Sequence, residues 1–226
     1  MRYLAFVAVV IAVAACSHDS TSPSDTNNPP PPPPTLFSVT LDSGLVDSTT
    51  APAGSIIPVR VHVALQGQVT PGVFVAWAIG SGRGALSADS TTTDSLGFAS
   101  VLWTLGDTIG LNSITAHVGD GSVTWRVAGI AGAASALVKV SADSELVVTN
   151  GTLPLTARVV DRHGNPVAGA TVEWASSAGD LSVTNAPSGQ TGDVETNFTA
   201  PGTPGTYTIT ATLPGRGSVI FEVVVM

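Results

Sequence analysis

From Leu36 onward, apolar and polar residues alternate. In residues 205–213, Tyr207, Ile209, Ala211 and Leu213 fall on one side, and Thr206, Thr208, Thr210 and Thr212 on the other. A period of two gives a strand with one dry and one wet face. The same alternation sets Val59, Val61 and Val63 against Arg60 and His62, and Ala99, Val101 and Trp103 against Ser100 and Leu102. It returns in Val219, Phe221 and Val223 against Ile220 and Glu222. Val, Ile and Thr fill these runs, and Gly and Pro interrupt them at short intervals, as turns between short antiparallel strands require. After residue 16 no stretch carries the 3.6-residue period of an amphipathic helix, so the pattern predicts an all-β chain.

The pattern also repeats. LFSVTLDS from Leu36 returns as LVKVSADS from Leu137, IPVRVHVA from Ile57 as LPLTARVV from Leu153, and GLNSITAHV from Gly110 as GTYTITATL from Gly205. VAW at Val75 to Trp77 returns as VEW at Val172 to Trp174. Two copies of a unit of about 95 residues predict two tandem immunoglobulin-like Greek-key β-sandwiches, 36–128 and 136–226, joined by a short linker of small residues at 129–135. Such a joint leaves little hinge freedom, although Gly129 and Gly132 permit some bending. Trp77 and Trp174 take the place of the tryptophan buried between the sheets of such sandwiches. Tyr207, two residues before the core position Ile209, is placed for a tyrosine corner; the first copy has Asn112 there and is expected to close its corner less completely.

The chain has one cysteine, Cys16, so both sandwiches must hold without disulfides. It ends an unusual leader. Met1-Arg2-Tyr3 supplies one charge, and Leu4 to Ala15 an apolar stretch too short for a bilayer, which needs about twenty residues. Residues 1–15 read as a signal peptide, and Val13-Ala14-Ala15-Cys16 resembles the lipobox of bacterial lipoproteins, in which the cysteine carries lipid. Ordinary signal cleavage after Ala12-Val13-Ala14 is the alternative. Ser17, following the cysteine, resembles the outer-membrane pattern rather than inner-membrane retention. Residues 17–35, polar and ending in the prolines 29–34, lack anything to bury and read as a disordered tether stiffened by polyproline II.

Asp161-Arg162-His163-Gly164-Asn165-Pro166-Val167-Ala168-Gly169, then Leu181-Ser182, Thr191-Gly192-Asp193-Val194 and the run from Gly205 to Ala211, resemble the invasin/intimin-type bacterial immunoglobulin-like (Big) domain. The first copy carries a looser version, with Thr92-Thr93-Asp94-Ser95-Leu96-Gly97-Phe98-Ala99. The resemblance implies tandem sandwiches on a bacterial surface, as found in adhesins and spacers, and transfers no catalytic residue.

Few residues suggest chemistry. None of His18, His62, His117 and His163 has another His, a Cys or a carboxylate pair at metal-ligand spacing. His62 and His117 alternate with core positions and belong on a wet strand face. Gly80-Ser81-Gly82-Arg83-Gly84 has no helix behind it to cradle a phosphate and reads as a flexible turn. Asp94, Asp107, Asp161, Asp180 and Asp193 lie near predicted turns, where an aspartate caps backbone N–H groups; calcium is the less favoured reading. The formal charge is −8, and loss of Arg2 makes the remainder more negative, which disfavours nucleic acid as a partner. No catalytic residue, metal or cofactor is expected. The expectation is a non-enzymatic, exported protein, anchored to the cell envelope through acylated Cys16, on the outer membrane, facing outward or into the periplasm. Its sandwiches would serve adhesion, spacing or assembly with a protein or glycan partner. A glycan-binding accessory protein is the alternative, with Phe74, which points away from the Val75 and Trp77 face, as its candidate contact.

Overall fold

The computed structural model describes residues 37–42 and 49–226. Cys16, the leader and the proline-rich tether lie outside them. The first half contains β1 (Phe37–Leu41), β2 (Thr49–Pro52), β3 (Ile56–Leu65), β4 (Gln68–Val69), β5 (Phe74–Ser81), β6 (Ala85–Leu86), β7 (Ser90–Thr92), β8 (Phe98–Thr104), β9 (Gly110–Val118) and β10 (Gly121–Ile130). The second contains β11 (Ala136–Lys139), β12 (Glu145–Val147), β13 (Thr152–Val160), β14 (Thr171–Ser176), β15 (Asp180–Leu181), β16 (Asn185–Pro187), β17 (Asp193–Thr199), β18 (Gly205–Leu213) and β19 (Gly217–Val225). No helix occurs among the described residues.

Each half builds two sheets. In the first, β1-β3-β8-β6, with β4 also on β3, faces β2-β10-β9-β5-β7; in the second, β11-β13-β17-β15 faces β12-β19-β18-β14-β16. The opening strand of each half is divided between the sheets. β1 and β11 pair antiparallel with β3 and β13, after which β2 and β12 cross over to lie parallel with β10 and β19. These are immunoglobulin-like sandwiches. β10 continues through Gly129 and Ile130, two residues into the stretch that looks like linker, because both pair with β2 at Ala51 and Pro52.

The alternation read from the sequence is the burial pattern of the strands. Val59, Val61 and Val63 are fully buried while Arg60 between them is exposed, and Ile209, Ala211 and Leu213 line the second core. Large residues sit opposite small ones. Trp77 pairs across the sheet with Ala116 and Trp174 with Ala211, so each indole occupies space that a larger neighbour would deny it. Trp103 and Trp125 in the first core stand where Phe198 and Phe221 fill the second, all four fully buried. The cores are separate, one around Trp77, Trp103 and Trp125, the other around Trp174, Phe198 and Phe221.

The two central indoles differ in one bond. Trp77 Nε1 donates to Thr91 Oγ1 at 2.8 Å, with Thr91 opposite Val75 on β7. In the second copy Ala186 on β16 stands opposite Val172 at the matching place, and Trp174 Nε1 has no partner. A buried donor left unpaired costs on the order of 1–3 kcal/mol. Ala186→Thr is therefore expected to stabilise the second sandwich by about 1 kcal/mol, and Thr91→Ala to destabilise the first by a similar or larger amount. Urea unfolding of each variant, followed by tryptophan fluorescence, measures both.

Candidate functional site

The residues singled out by sequence fall into distinct places. Trp77 and Trp174 are each 4% exposed between the sheets, and Ile209 is fully buried. Tyr207 is half-buried; its hydroxyl donates to Thr203 O at 3.0 Å and meets Thr203 Oγ1 at 2.9 Å, tying the start of β18 to the preceding loop. Phe74 opens β5 and is 61% exposed. Three of the turn aspartates stand apart. Asp94 caps its own loop through Leu96 N and Phe98 N, Asp193 pairs with Arg158 on the sheet surface, and Asp180 lies on β15. Among the described residues no three His, Cys, Asp or Glu side chains are grouped as metal ligands would be.

One expectation needs correction. Asn112 does not leave the first copy's corner incomplete: it is buried, its Oδ1 accepts from Gly106 N at 3.0 Å and its Nδ2 donates to Gly110 O at 3.1 Å. A shorter side chain closes the same loop from within. The glycine-rich segment 80–84 is a turn joining β5 to β6 with Arg83 exposed, and it folds directly over this asparagine. Gly82 has φ +80°, and a Cβ there would collide with Asn112 Oδ1. Its glycines answer to close approach and positive φ.

The site that does assemble residues from distant parts of the chain is the joint between the sandwiches. Asp161-Arg162-His163-Gly164-Asn165-Pro166 follows β13 and folds on itself: Asp161 N donates to Asn165 O at 2.9 Å, and Gly164 N to Asp161 O at 3.1 Å. This aims the Asp161 side chain inward. Its Oδ1 accepts from His163 N at 2.8 Å and Asn165 N at 2.9 Å; its Oδ2 accepts from Gly132 N at 2.9 Å and Asn165 Nδ2 at 3.0 Å. The Gly132 bond pins the connector to the second sandwich. Asn165 then reaches across, with Oδ1 accepting from Ile109 N at 3.1 Å and Nδ2 donating to Asp107 O at 2.7 Å. His163 adds a third crossing contact, Nδ1 lying 3.1 Å from Asp107 Oδ1, while its Nε2 accepts from Arg162 Nε at 2.7 Å. The ring lies against Gly54, where a Cβ would come within 2.7 Å of Nε2.

The connector is held at both ends as well: Ala53 N donates to Ile130 O and Ser135 N to Val160 O, each at 2.8 Å. Beside it runs an open groove of about 340 Å³, walled by Pro52 and Ala53 on one side and by Arg162, His163 and Arg216 on the other. Asp161 is 3% exposed. Burial by itself raises a carboxyl pKa, but here the N–H donors of Gly132, Asn165 and His163 outweigh it and lower the value to about 2. Asp161 is thus an anion buried among donors, joining the connector to its own loop, whose Asn165 reaches the neighbouring sandwich.

Residues 137–223 match the family model for the bacterial Ig-like domain (group 1). No curated protein matches the chain. Among solved structures the chain is similar to the D0-D1 domain of intimin, at 22% identity over 84% of this chain and 97% of that one, with a TM-score of 0.36. It is also similar to FdeC, an Escherichia coli adhesin, at 18% identity over 83% of this chain and 63% of that one, with a TM-score of 0.46. Invasin, a bacterial integrin-binding protein, is similar at 20% identity over 84% of this chain and 40% of that one, with a TM-score of 0.40.

The depressed pKa of Asp161 fixes the sign of its pH dependence. Its contribution to stability is fully present above the unfolded carboxyl value near pH 4 and is lost as the pH falls toward about 2. Across that interval the second sandwich and joint should lose on the order of 2 kcal/mol through this group. Asp161→Asn should be less stable at pH 7 and show a flatter acid limb, measured by urea unfolding at a series of pH values.

Proposed function

We propose that this is a non-enzymatic lipoprotein of the bacterial cell envelope whose tandem sandwiches form a stiff stalk, serving adhesion, spacing or assembly at the surface. The observation that carries the reading is the joint. Asn165 bonds both Asp107 O and Ile109 N of the first sandwich, and Asp161 takes up Gly132 of the connector, so the two sandwiches are coupled at several points. A coupling of this kind transmits orientation, which a spacer or displayed adhesive module needs and which a flexible string of domains lacks. The bacterial Ig-like match over 137–223 and the lipobox-like Val13-Ala14-Ala15-Cys16 support a location at the envelope, on the outer membrane and facing outward or into the periplasm. Partners would be the membrane, through acylated Cys16, and a protein or glycan met by the stalk, with no role for nucleic acid. The alternative of glycan binding has Phe74 to rest on, the one exposed phenylalanine, tyrosine or tryptophan among the described residues.

Two measurements test the proposal. Metabolic labelling with a palmitate analogue should mark the wild type and not Cys16→Ser; label that persists in the variant, or never appears in the wild type, removes the anchor. For the stalk, Asn165→Ala should broaden the distribution of distances between spin labels placed on the two sandwiches. An unchanged distribution would show that the coupling does not depend on these bonds.

A further inference from the structure

We infer that the tethered end of the first sandwich rests on the lipid surface, with Val69, Phe74 and Leu96 as its contact; this inference depends on the reading of Cys16 as an acyl anchor. The three side chains gather at one end. Phe37, where the described chain begins, pairs with Leu65 from one side of β3 and Gln68 of β4 pairs with Leu65 from the other, so the chain enters the sandwich at the same end as Val69, with β3 between them. A Cβ on Gly97 would stand 3.1 Å from Val69 Cγ1, which places the turn carrying Leu96 directly against β4. Thr93 clasps that turn to the segment before Phe74, its Oγ1 accepting from Val73 N at 2.9 Å and donating to Thr70 O at 2.7 Å. Asp94 points its carboxylate into its own loop, accepting from Leu96 N and Phe98 N at 2.8 and 2.9 Å. The apolar side chains are left outward, Val69 at 50% exposure, Phe74 at 61% and Leu96 at 64%.

The second copy supplies the contrast. At the matching positions it has Pro166, Thr171 and Thr191; Gly192 meets Pro166 Cβ at 3.0 Å where Gly97 meets Val69. At that end the 161–166 loop meets the first sandwich, through the polar contacts of Asn165 and His163, while Thr171 and Thr191 remain exposed but polar. The first copy's equivalent end has Gln66-Gly67-Gln68 in place of the polar docking loop and exposes hydrocarbon instead. The chain limits how far this end can stand from the anchor: residues 17–35 join it to Cys16 and span at most about 65 Å. An anchored acyl chain would hold the end near lipid at an effective concentration of the order of millimolar, enough for three inserted side chains to matter although they would not bind alone.

The test uses the full acylated protein on phosphatidylethanolamine vesicles, read by amide hydrogen exchange against the same protein carrying Cys16→Ser in solution. Exchange in 66–74 and 93–97 should slow by about threefold or more on vesicles, while 161–166 stays unchanged. In Val69→Ser/Phe74→Ser/Leu96→Ser the protection should vanish while sedimentation with vesicles persists, since the acyl group remains. Equal exchange of these loops on vesicles and in solution overturns the contact, as does protection that survives the triple substitution. A wild type that neither carries acyl mass on Cys16 nor sediments with vesicles overturns the anchor, and the contact with it.

Discussion

Packing of inward-facing side chains is what holds each pair of sheets together, because the single cysteine, Cys16, precedes both sandwiches and no disulfide can cross them. Every other feature depends on those cores being full. Large side chains therefore stand against small ones, Trp77 opposite Ala116 and Trp174 opposite Ala211, and the remaining volume is taken by Trp103 and Trp125 in one half and by Phe198 and Phe221 in the other. The indoles bring a cost that phenylalanine does not. Trp103, Trp125 and Trp174 bury Nε1 donors without partners, whereas Trp77 meets a threonine hydroxyl. The first core gains apolar volume from its extra indoles and carries two unpaired donors with them.

With both cores closed, the ends of the sandwiches decide what the molecule can do. The joint is polar, and its centre is a carboxylate removed from water. A buried anion is costly unless its lone pairs are taken up, and Asp161 receives four N–H groups from three residues. Each of those bonds requires a defined position of loop or connector. That requirement converts a turn aspartate into a device for orientation, because any displacement of Gly132 or Asn165 leaves charge unsatisfied. The opposite end of the first sandwich turns its Asp94 carboxylate into its own loop and presents Val69, Phe74 and Leu96. Two copies of one unit thus carry a polar end where they meet and an apolar end where the chain enters.

Much of this was legible before any coordinates. Strands follow from the alternation of dry and wet residues, the doubling from the repeated segments, and the core tryptophans from their place in each copy. The aspartates were recognisable as turn caps, and Asp94 and Asp161 are caps. Asn112 departs from expectation because its side chain bonds across the loop before it, to Gly106 and Gly110. The asparagine closes its corner with both ends of its amide, and the glycines are there to let the chain pass over it.

What the sequence by itself determined is what depends on neighbours along the chain: strand faces, turn positions, the division into two copies and the lack of any covalent brace. The tertiary structure alone decided which turn residues become a joint. Asn165 finds its partners at Asp107 and Ile109, and Asp161 finds Gly132, across separations that no local period encodes. Nothing in the spacing distinguishes Asp161 from Asp180 or Asp193. They differ because one carboxylate, already ringed by the donors of its own turn, is carried by the fold to a place where water is excluded and Gly132 of the connector completes the set.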